Sequence, residues 1–206
     1  YRGVLPNQET LAERNSSLFH AVANPRGGLF VTTLSALLQK TFHQEVFKNA
    51  IVKLAPNEEV ERNVFIQQLA SLGYQKNPTV YDPGTFAIRG GIIDLFSPLY
   101  EHPIRIEFYG DLIDEIHFFD EKTQLTKKKA EVVFAIPVGL TLLPSPSEFD
   151  AVARKLKEHL DETGIPKNVR EELVDDLRDS RLLSEHQFLF PLLSKGSGSL
   201  LDFFTP

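Results

Sequence analysis

The first part of the chain alternates between helical and strand-like hydrophobic patterns. Apolar residues at helical spacing, including Leu18 and Val22, predict one face of a helix that Asn7 caps. The apolar run at residues 29–32 predicts a buried strand, and a second helix is predicted around residues 34–40. Because a buried strand that leads into a helix is the repeating unit of parallel sheets, this stretch predicts an α/β fold.

From residue 50 the pattern changes to one helix followed by many short strands. A strand predicted at residues 50–54 precedes a helix that Asn57 caps and Gly73 ends. The apolar residues expected to face inward on this helix are Val60, Val64, Phe65 and Leu69. The turn signals that follow are Pro83-Gly84, Gly90-Gly91, Ser97-Pro98, Gly110-Asp111 and Asp120-Glu121-Lys122. This spacing predicts a small meandering antiparallel sheet with one helix.

Beyond Pro137 the chain becomes helical and charged. A helix is predicted from Phe149 to about Gly164, and a second helix at residues 168–183. The tail at residues 186–206 is rich in Phe, Leu and Gly, which predicts irregular or short-strand structure that returns to a core.

The strand predicted at residues 103–109 carries the most distinctive polar side. By the two-residue period of strands, Arg105, Glu107 and Tyr109 share one face, opposite its apolar residues. An earlier strand places Arg89 on its own polar side, so Arg89 joins the same patch if the two strands are neighbours. Arginine and tyrosine are enriched among the residues that dominate protein interfaces, so this patch is a candidate binding surface.

Ordinary solvated ion pairs are the alternative interpretation of these side chains. Arg105 could pair with Glu107, and Arg89 with a nearby acid, for about 0–1 kcal/mol each. The acids of this region lie at polar strand positions or in turns, where a solvated charge is expected; they are Asp94, Glu101, Glu107, Asp111, Asp114 and Glu115. Periodicity alone does not decide between a binding surface and a solvated face.

Composition narrows the class of protein. With 42% hydrophobic and 24% charged residues the chain is typical of globular domains, and no apolar run is long enough for a membrane helix, so we expect a cytoplasmic protein without a membrane partner. The net charge of −6 argues against a stand-alone nucleic-acid binder. The absence of Met predicts an internal piece of a longer protein, unless methionines were dropped from the sequence.

Residue types and spacings give no sign of catalysis or of a cofactor. Without Cys the chain has no disulfide, thiolate nucleophile or Cys-ligated zinc. The six histidines show no metal-binding spacing. The nearest Gly-rich loop, after Lys195, lacks the Lys-Ser/Thr pair with which a GxxxxGK[ST] loop holds phosphates and magnesium. We therefore expect no catalytic residue, metal or cofactor in this chain.

Two consecutive motifs resemble those of one family. They are YDPGTFAIRGGIIDLF at residues 81–96 and PIRIEFYGDLIDEIHFFD at residues 103–120. The pair resembles the UvrB-type interaction domain, which UvrB excision-repair helicases share with the bacterial transcription-repair coupling factors (Mfd). The passage from Pro6 directly into a helix, without a long aromatic hairpin, and the apolar tail at residues 188–193 resemble the coupling factors more closely. A truncated UvrB-type helicase subunit remains the alternative.

The resemblance implies a mixed α/β architecture in which a small domain is inserted into a larger one. Residues 1–50 would be the first segment of a degenerate RecA-like domain, which is P-loop NTPase-like but has no Walker A motif. Residues 51–136 would form the small α+β interaction domain that binds UvrA. Residues 137–206 would be the mostly helical return segment of the first domain.

The resemblance also implies roles for the candidate residues. Arg89, Arg105 and Tyr109 match positions with which this domain grips the ATPase UvrA, and Glu107 matches a position that contributes an acid. Tyr109 departs from the usual Phe, and Ala87 stands where UvrB proteins often have a further Arg. Charge reversal at Arg89 or Arg105 is then expected to abolish UvrA binding and to leave the melting temperature nearly unchanged.

The function that the resemblance implies is recruitment. A motor elsewhere in the longer protein, dependent on ATP and magnesium, would act on double-stranded DNA and displace stalled RNA polymerase. This piece would then deliver UvrA to the damage for nucleotide excision repair, without being an enzyme itself. The same surface could also dock on another domain of the longer protein and stay hidden until DNA or polymerase binds.

Overall fold

The fold is a mixed α/β arrangement of helices and short strands. The computed structural model describes residues 8–24, 29–139, 142, 148–162, 164–178 and 197–204. The α-helices are Gln8–Ala23 (α1), Leu34–Leu38 (α2), Gln44–Ala50 (α3), Arg62–Ser71 (α4), Phe149–Glu162 (α5) and Lys167–Arg178 (α6), and a 3-10 helix spans Leu200–Phe203. The strands are Thr41–Phe42 (β1), Val52–Leu54 (β2), Gln75–Lys76 (β3), Thr85–Arg89 (β4), Ile92–Leu95 (β5), Ile104–Tyr109 (β6), Leu112–Phe119 (β7), Thr126–Lys129 (β8), Val133–Ala135 (β9) and Ser197–Gly198 (β10).

Six of the strands form one sheet in the order β3-β4-β5-β6-β7-β8. From β4 to β8 each strand is antiparallel to the next, which confirms the predicted meander, and β3 joins β4 in parallel. The predicted turn signals fall between consecutive strands of this sheet. Gly90 and Gly110 have φ of 58° and 65°, in the left-handed region that tight hairpin turns require.

Helix α4 covers one face of the sheet and forms the main core with it. Phe65 and Leu69 of α4 are fully buried in this core. The sheet contributes Ile93, Ile104, Ile106, Ile113 and Ile116. Burial of each such side chain stabilises the fold by about 1.5–3 kcal/mol, so this face fixes which side of every strand points outward.

Helix α4 begins later than the sequence predicts. Asn57 has φ of 66° and does not cap a helix, and α4 starts at Arg62. The backbone before the helix pairs with the β6–β7 hairpin instead, since the Val60 N–H donates to the carbonyl of Asp111 at 2.7 Å. Val64, which was expected to face inward, is 42% exposed. The acidic run before the helix therefore belongs to a paired segment rather than to the first helical turn.

A second core lies between α1, α3 and the 3-10 helix. Leu18, Phe47 and Phe203 are buried together there, and β1 pairs with β10 nearby. This confirms the predicted first helix, whose predicted cap Asn7 lies outside the described residues. It also confirms the return of the tail to a core for residues 197–204, while the earlier part of the predicted tail lies outside the described residues.

The strand predicted at residues 29–32 is wrong. These residues form no strand, and Leu29 and Val31 are 92% and 89% exposed. No strand in the described part of the chain lies beside them to pair with their backbone. The helix predicted after them is confirmed as the short α2. The strand predicted from residue 50 begins later, at β2, because Ala50 is the last residue of α3.

Helices α5 and α6 form a hairpin with its own small core. Leu156, Leu160, Leu173 and Val174 are buried between them. The first of the two predicted helices is confirmed, and the second is confirmed up to residue 178, where its predicted end at 179–183 passes outside the described residues. None of the helices described is long and apolar enough to cross a membrane.

Candidate functional site

The candidate residues lie on the sheet face opposite the core, here called the outer face. It carries Ala87, Arg89, Ile92, Asp94, Arg105, Glu107, Tyr109, Leu112, Glu115 and His117. Strands β4 and β6 are not neighbours, because β5 lies between them. Ile92 of β5 is in register with Arg89 on one side and with Glu107 on the other. At about 4.8 Å between adjacent strands, the backbones of Arg89 and Glu107 lie about 10 Å apart.

Arg105 is held by a carboxylate directly opposite it on β5. Its Nε donates to Asp94 Oδ1 at 2.6 Å and its Nη2 to Asp94 Oδ2 at 2.8 Å, the two-pronged geometry that makes such pairs strong. Nη2 also donates to Gln124 Oε1 at 2.9 Å, and the guanidinium carbon lies 4.4 Å from the centre of the Phe119 ring. The hydrogen bonds to Asp94 raise the pKa of Arg105 above its usual value, so this group stays charged.

The burial of Asp94 contradicts the expectation of a solvated acid. Asp94 is 1% exposed, and its partner is Arg105, which was expected to pair with Glu107 if it paired at all. Three of the five N–H donors of Arg105 are used by Asp94 and Gln124, which leaves the two on Nη1. The interpretation of a solvated pair with Glu107 is therefore wrong for Arg105, whose partner is the buried Asp94. This pair orients the arginine.

Part of the outer face is covered by the loop between β3 and β4. Val80 of this loop packs against Phe96 and Ala87, and all three are buried. Position 87 therefore lies beneath the loop and contributes nothing to the exposed part of the outer face.

Arg89 lies exposed at the end of β4, beside that loop. Its Nη2 is 3.4 Å from the carbonyl oxygen of Pro78, near the limit of a hydrogen bond. So weak a contact leaves the guanidinium free to turn toward a partner.

Tyr109 is the most exposed aromatic residue of this face, at 83%. It ends β6 immediately before Gly110, and Leu112 stands directly opposite it on β7. Leu112 is itself 37% exposed, so the two side chains form an apolar pair at the rim. Leu112 was not among the residues predicted from the sequence, although its place two residues after Gly110 pairs it with Tyr109 across the hairpin.

Glu107 lies on β6 between Arg105 and Tyr109, and its side chain is half-exposed. Its Oε1 is 3.7 Å from Nδ1 of the buried His117, which the sequence analysis also missed. Glu115 stands opposite Glu107 and accepts a hydrogen bond from Lys129 Nζ at 2.7 Å, which lowers the pKa of Glu115. The two facing carboxylates thus each lie beside a basic side chain, and the outer face carries both acidic and basic groups.

The outer face therefore offers a free cation, a pre-oriented cation and an exposed aromatic ring within a short distance. Such a set can hold an acidic surface of another protein that also has an apolar pocket. No group of three or more His, Asp or Glu side chains in the described residues is arranged to hold a metal ion.

The sheet that carries the outer face lies in a region that is similar to a known domain family. The family model of the UvrB interaction domain matches residues 52–139. The chain is 32% identical over 181 residues to the transcription-repair-coupling factor of Myxococcus xanthus, a match that covers 87% of this chain and 15% of that protein. It is 31% identical over 209 residues to the coupling factor of Staphylococcus aureus strain bovine RF122 / ET3-1, covering 95% of this chain and 17% of that protein.

The chain thus spans roughly one sixth of the length of these relatives. The matched domain contains the whole six-stranded sheet, α4 and the outer face. Residues 52–139 therefore match the UvrB interaction domain, within a chain that is similar to a region of the transcription-repair-coupling factors over most of its length.

Proposed function

We propose that this chain recruits UvrA, as part of a transcription-repair coupling factor that acts at RNA polymerase stalled on damaged DNA. The UvrB interaction domain and the similarity to coupling factors support this proposal. The observation that carries it is the placement of Arg89, Arg105 and Tyr109 on one sheet face. By the resemblance, these are the motif positions that would contact UvrA. Because the relatives above are coupling factors, this function is favoured over that of a UvrB-type helicase subunit.

Each of these side chains would make a different kind of contact with UvrA. Arg89 is free to form a charge-assisted hydrogen bond with an acidic group of UvrA. Arg105 would offer its two Nη1 donors from a guanidinium already fixed by Asp94, so binding costs little further side-chain entropy. Tyr109 would enter an apolar pocket, and Glu107 would meet a basic group at the rim.

The remaining steps of repair would belong to the rest of such a protein. Translocation on double-stranded DNA, driven by ATP and magnesium, and the contact with RNA polymerase would lie outside the region that this chain matches. The residues around the interaction domain would form part of a degenerate RecA-like domain without a nucleotide site. In support, α1 and α3, which precede the interaction domain, share a core with Phe203, which follows it.

Isothermal titration calorimetry with purified UvrA tests this proposal. We expect saturable binding by the wild-type chain and a loss of about 30-fold or more for Arg89→Glu, because the new carboxylate would repel an acidic partner. Lys157→Glu makes the same charge change at an exposed position of α5 and serves as the control that binds normally. Normal affinity of a folded Arg89→Glu variant, or no binding by the wild-type chain, would contradict the proposal.

A further inference from the structure

Arg62, the first residue of α4, joins two turns of the sheet. Its backbone N–H donates to Asp111 Oδ1 at 3.0 Å, in the turn between β6 and β7. Its guanidinium donates through Nη2 to the carbonyl of Gly90, in the turn between β4 and β5. A single residue at the start of one helix therefore contacts the tips of two separate hairpins.

Both hairpin tips lie beside residues proposed to contact UvrA. Arg89 immediately precedes Gly90, and Tyr109 lies two residues before Asp111. Movement of either tip would therefore change the distance between the exposed arginine and the exposed ring.

Backbone pairing holds the two tips unequally, because the Asp111 carbonyl accepts from the Val60 N–H at 2.7 Å but pairing between strands stops short of the Gly90 carbonyl. Between β5 and β6 it ends with the bond from the Phe108 N–H to the Gly91 carbonyl at 2.8 Å. The Gly90 carbonyl and the Asp111 carboxylate lie beyond this bond, where Arg62 joins them. The hydrogen bonds of Arg62 thus hold turn groups that the pairing between β5 and β6 does not hold.

The position of Arg62 itself is fixed by the core. The turn of α4 that follows it buries Phe65, and Leu69 is buried one turn later. Glu61, at the N-cap position, makes no side-chain cap, so Asp111 supplies both an acceptor and a negative charge at the start of the helix. Because the core holds α4 in place, the hydrogen bonds of Arg62 restrict the movement of both turns.

From this geometry we infer that Arg62 is a positioning residue for UvrA binding. It acts from the side of α4 and the core, whereas Arg89 and Tyr109 project from the outer face. Its role is to hold Arg89 at a fixed place relative to Tyr109, without touching the partner itself. This inference rests on the proposed function. It adds to the proposed site a residue that lies on the opposite side of the sheet.

A double-mutant cycle with UvrA titration separates positioning from direct contact. Arg62→Ala is expected to weaken UvrA binding on the order of tenfold, the effect of losing a hydrogen bond made by a charged group. Arg62→Lys should recover much of this affinity, because an ammonium group can also donate to the Gly90 carbonyl. In an Arg89→Ala background, Arg62→Ala should weaken binding less than about threefold, since the residue it positions is gone.

Amide hydrogen exchange on the unbound chain provides a measurement that does not depend on UvrA. The amides of Gly90 and Gly91 should exchange faster in Arg62→Ala than in the wild-type chain, while those of α5 keep their rates. Arg154→Ala, which removes an exposed arginine of α5, is the matched control and should change neither exchange nor affinity.

The outcomes distinguish this inference from the proposed function. If the wild-type chain binds UvrA and Arg62→Ala binds equally well, the positioning role is wrong and the proposed function stands. If the full tenfold loss persists in the Arg89→Ala background, Arg62 contacts UvrA or acts through general stability, and the inference is again wrong. If the wild-type chain does not bind, the proposed function fails, and the binding role of Arg62 fails with it.

Discussion

Arg105 and Asp94 face each other across β6 and β5 and are joined by two hydrogen bonds of 2.6 and 2.8 Å. The side chain of Asp94 is 1% exposed and that of Arg105 is 16% exposed, so the pair is buried at its acidic end and reaches the surface at its basic end. Arg105, which the sequence predicts to be a binding residue, therefore also has a structural role. The first two predictions follow from this double role.

Removal of Asp94 should destabilise the fold. Asp94→Ala leaves the Arg105 guanidinium largely buried without its counter-charge, and we expect the free energy of unfolding to fall by about 2–4 kcal/mol. Urea denaturation followed by circular dichroism measures this change. Asp114→Ala, which removes an exposed acid from β7, is the control and should alter stability by no more than about 0.5 kcal/mol.

Charge reversal at the two arginines should have different effects on stability. Arg105→Glu places a second carboxylate against Asp94, so we expect the melting temperature to fall by about 5 °C or more. Arg89→Glu, at an exposed site with one weak contact to Pro78, should leave the melting temperature within about 1 °C. This revises the expectation from sequence that neither reversal affects stability. Equal melting temperatures for the two folded variants, measured by calorimetry, would show that the Arg105 pair has no structural role.

Tyr109 should contribute to UvrA binding through its ring and not through its hydroxyl. Tyr109→Phe is expected to keep wild-type affinity, whereas Tyr109→Ala should weaken binding about tenfold or more, because an exposed aromatic ring is the type of anchor that fills a pocket in a partner. Both variants should have the melting temperature of the wild-type chain, since the side chain of Tyr109 is 83% exposed. A marked loss of affinity for Tyr109→Phe would mean that the hydroxyl is bound by the partner.

The sheet could be predicted from the sequence because its signals are local. The turn residues and the two-residue period place Arg105 and Tyr109 on one face without knowledge of any partner strand. The acid that pairs with Arg105 could not be predicted in this way, because the pairing depends on the register between β5 and β6 and on the burial of Asp94. The same limit applies to Arg62, whose two bonds reach hairpins that lie far along the chain.

The predicted strand at residues 29–32 failed for a related reason. An apolar run indicates burial only if something covers it, and in the described part of the chain Leu29 and Val31 have no such neighbour. The start of α4 was misplaced because Asn57 has the chemistry of a helix cap, but its backbone is used in pairing with β7 instead. Tertiary context decided both cases, through a missing partner at residues 29–32 and through backbone pairing at Asn57.

Gly90 and Gly91 should resist substitution for different physical reasons. Gly90 has φ of 58° and open space around it, so alanine there is disfavoured by backbone conformation alone, at about 1–2 kcal/mol. A Cβ on Gly91 would lie 2.9 Å from the carbonyl oxygen of Phe108, so substitution there must push two strands apart. Asparagine tolerates the left-handed region, and Gly90→Asn should therefore be more stable than Gly90→Ala. Gly91→Asn should be no more stable than Gly91→Ala in the same denaturation assay, and a rescue by asparagine at position 91 would contradict the steric explanation.

Asp120 should make the turn between β7 and β8 sensitive to acid. Its Oδ1 accepts hydrogen bonds from the Thr123 N–H at 2.8 Å, from the Thr123 hydroxyl at 3.0 Å and from the Lys122 N–H at 3.1 Å. These bonds, with the nearby Lys127, hold the pKa of Asp120 far below its usual value. The same turn carries Gln124, which donates from its side chain to the Glu121 carbonyl and accepts from Arg105. Loss of the Asp120 charge should therefore loosen the support of Arg105 as well.

The sign of the pH effect follows from the lowered pKa. A carboxylate whose pKa is lower in the folded state stabilises the fold fully above its unfolded pKa, near 3.9, and loses that contribution as the pH falls toward the folded value. The difference in unfolding free energy between the wild-type chain and Asp120→Asn should thus be constant from about pH 7 to pH 5 and shrink below about pH 4. Urea denaturation of both proteins across this range measures it, with Asp114→Asn as a control whose difference from wild type stays small throughout. A difference for Asp120→Asn that stays constant down to pH 2.5 would mean that the carboxylate is not stabilised in its charged form.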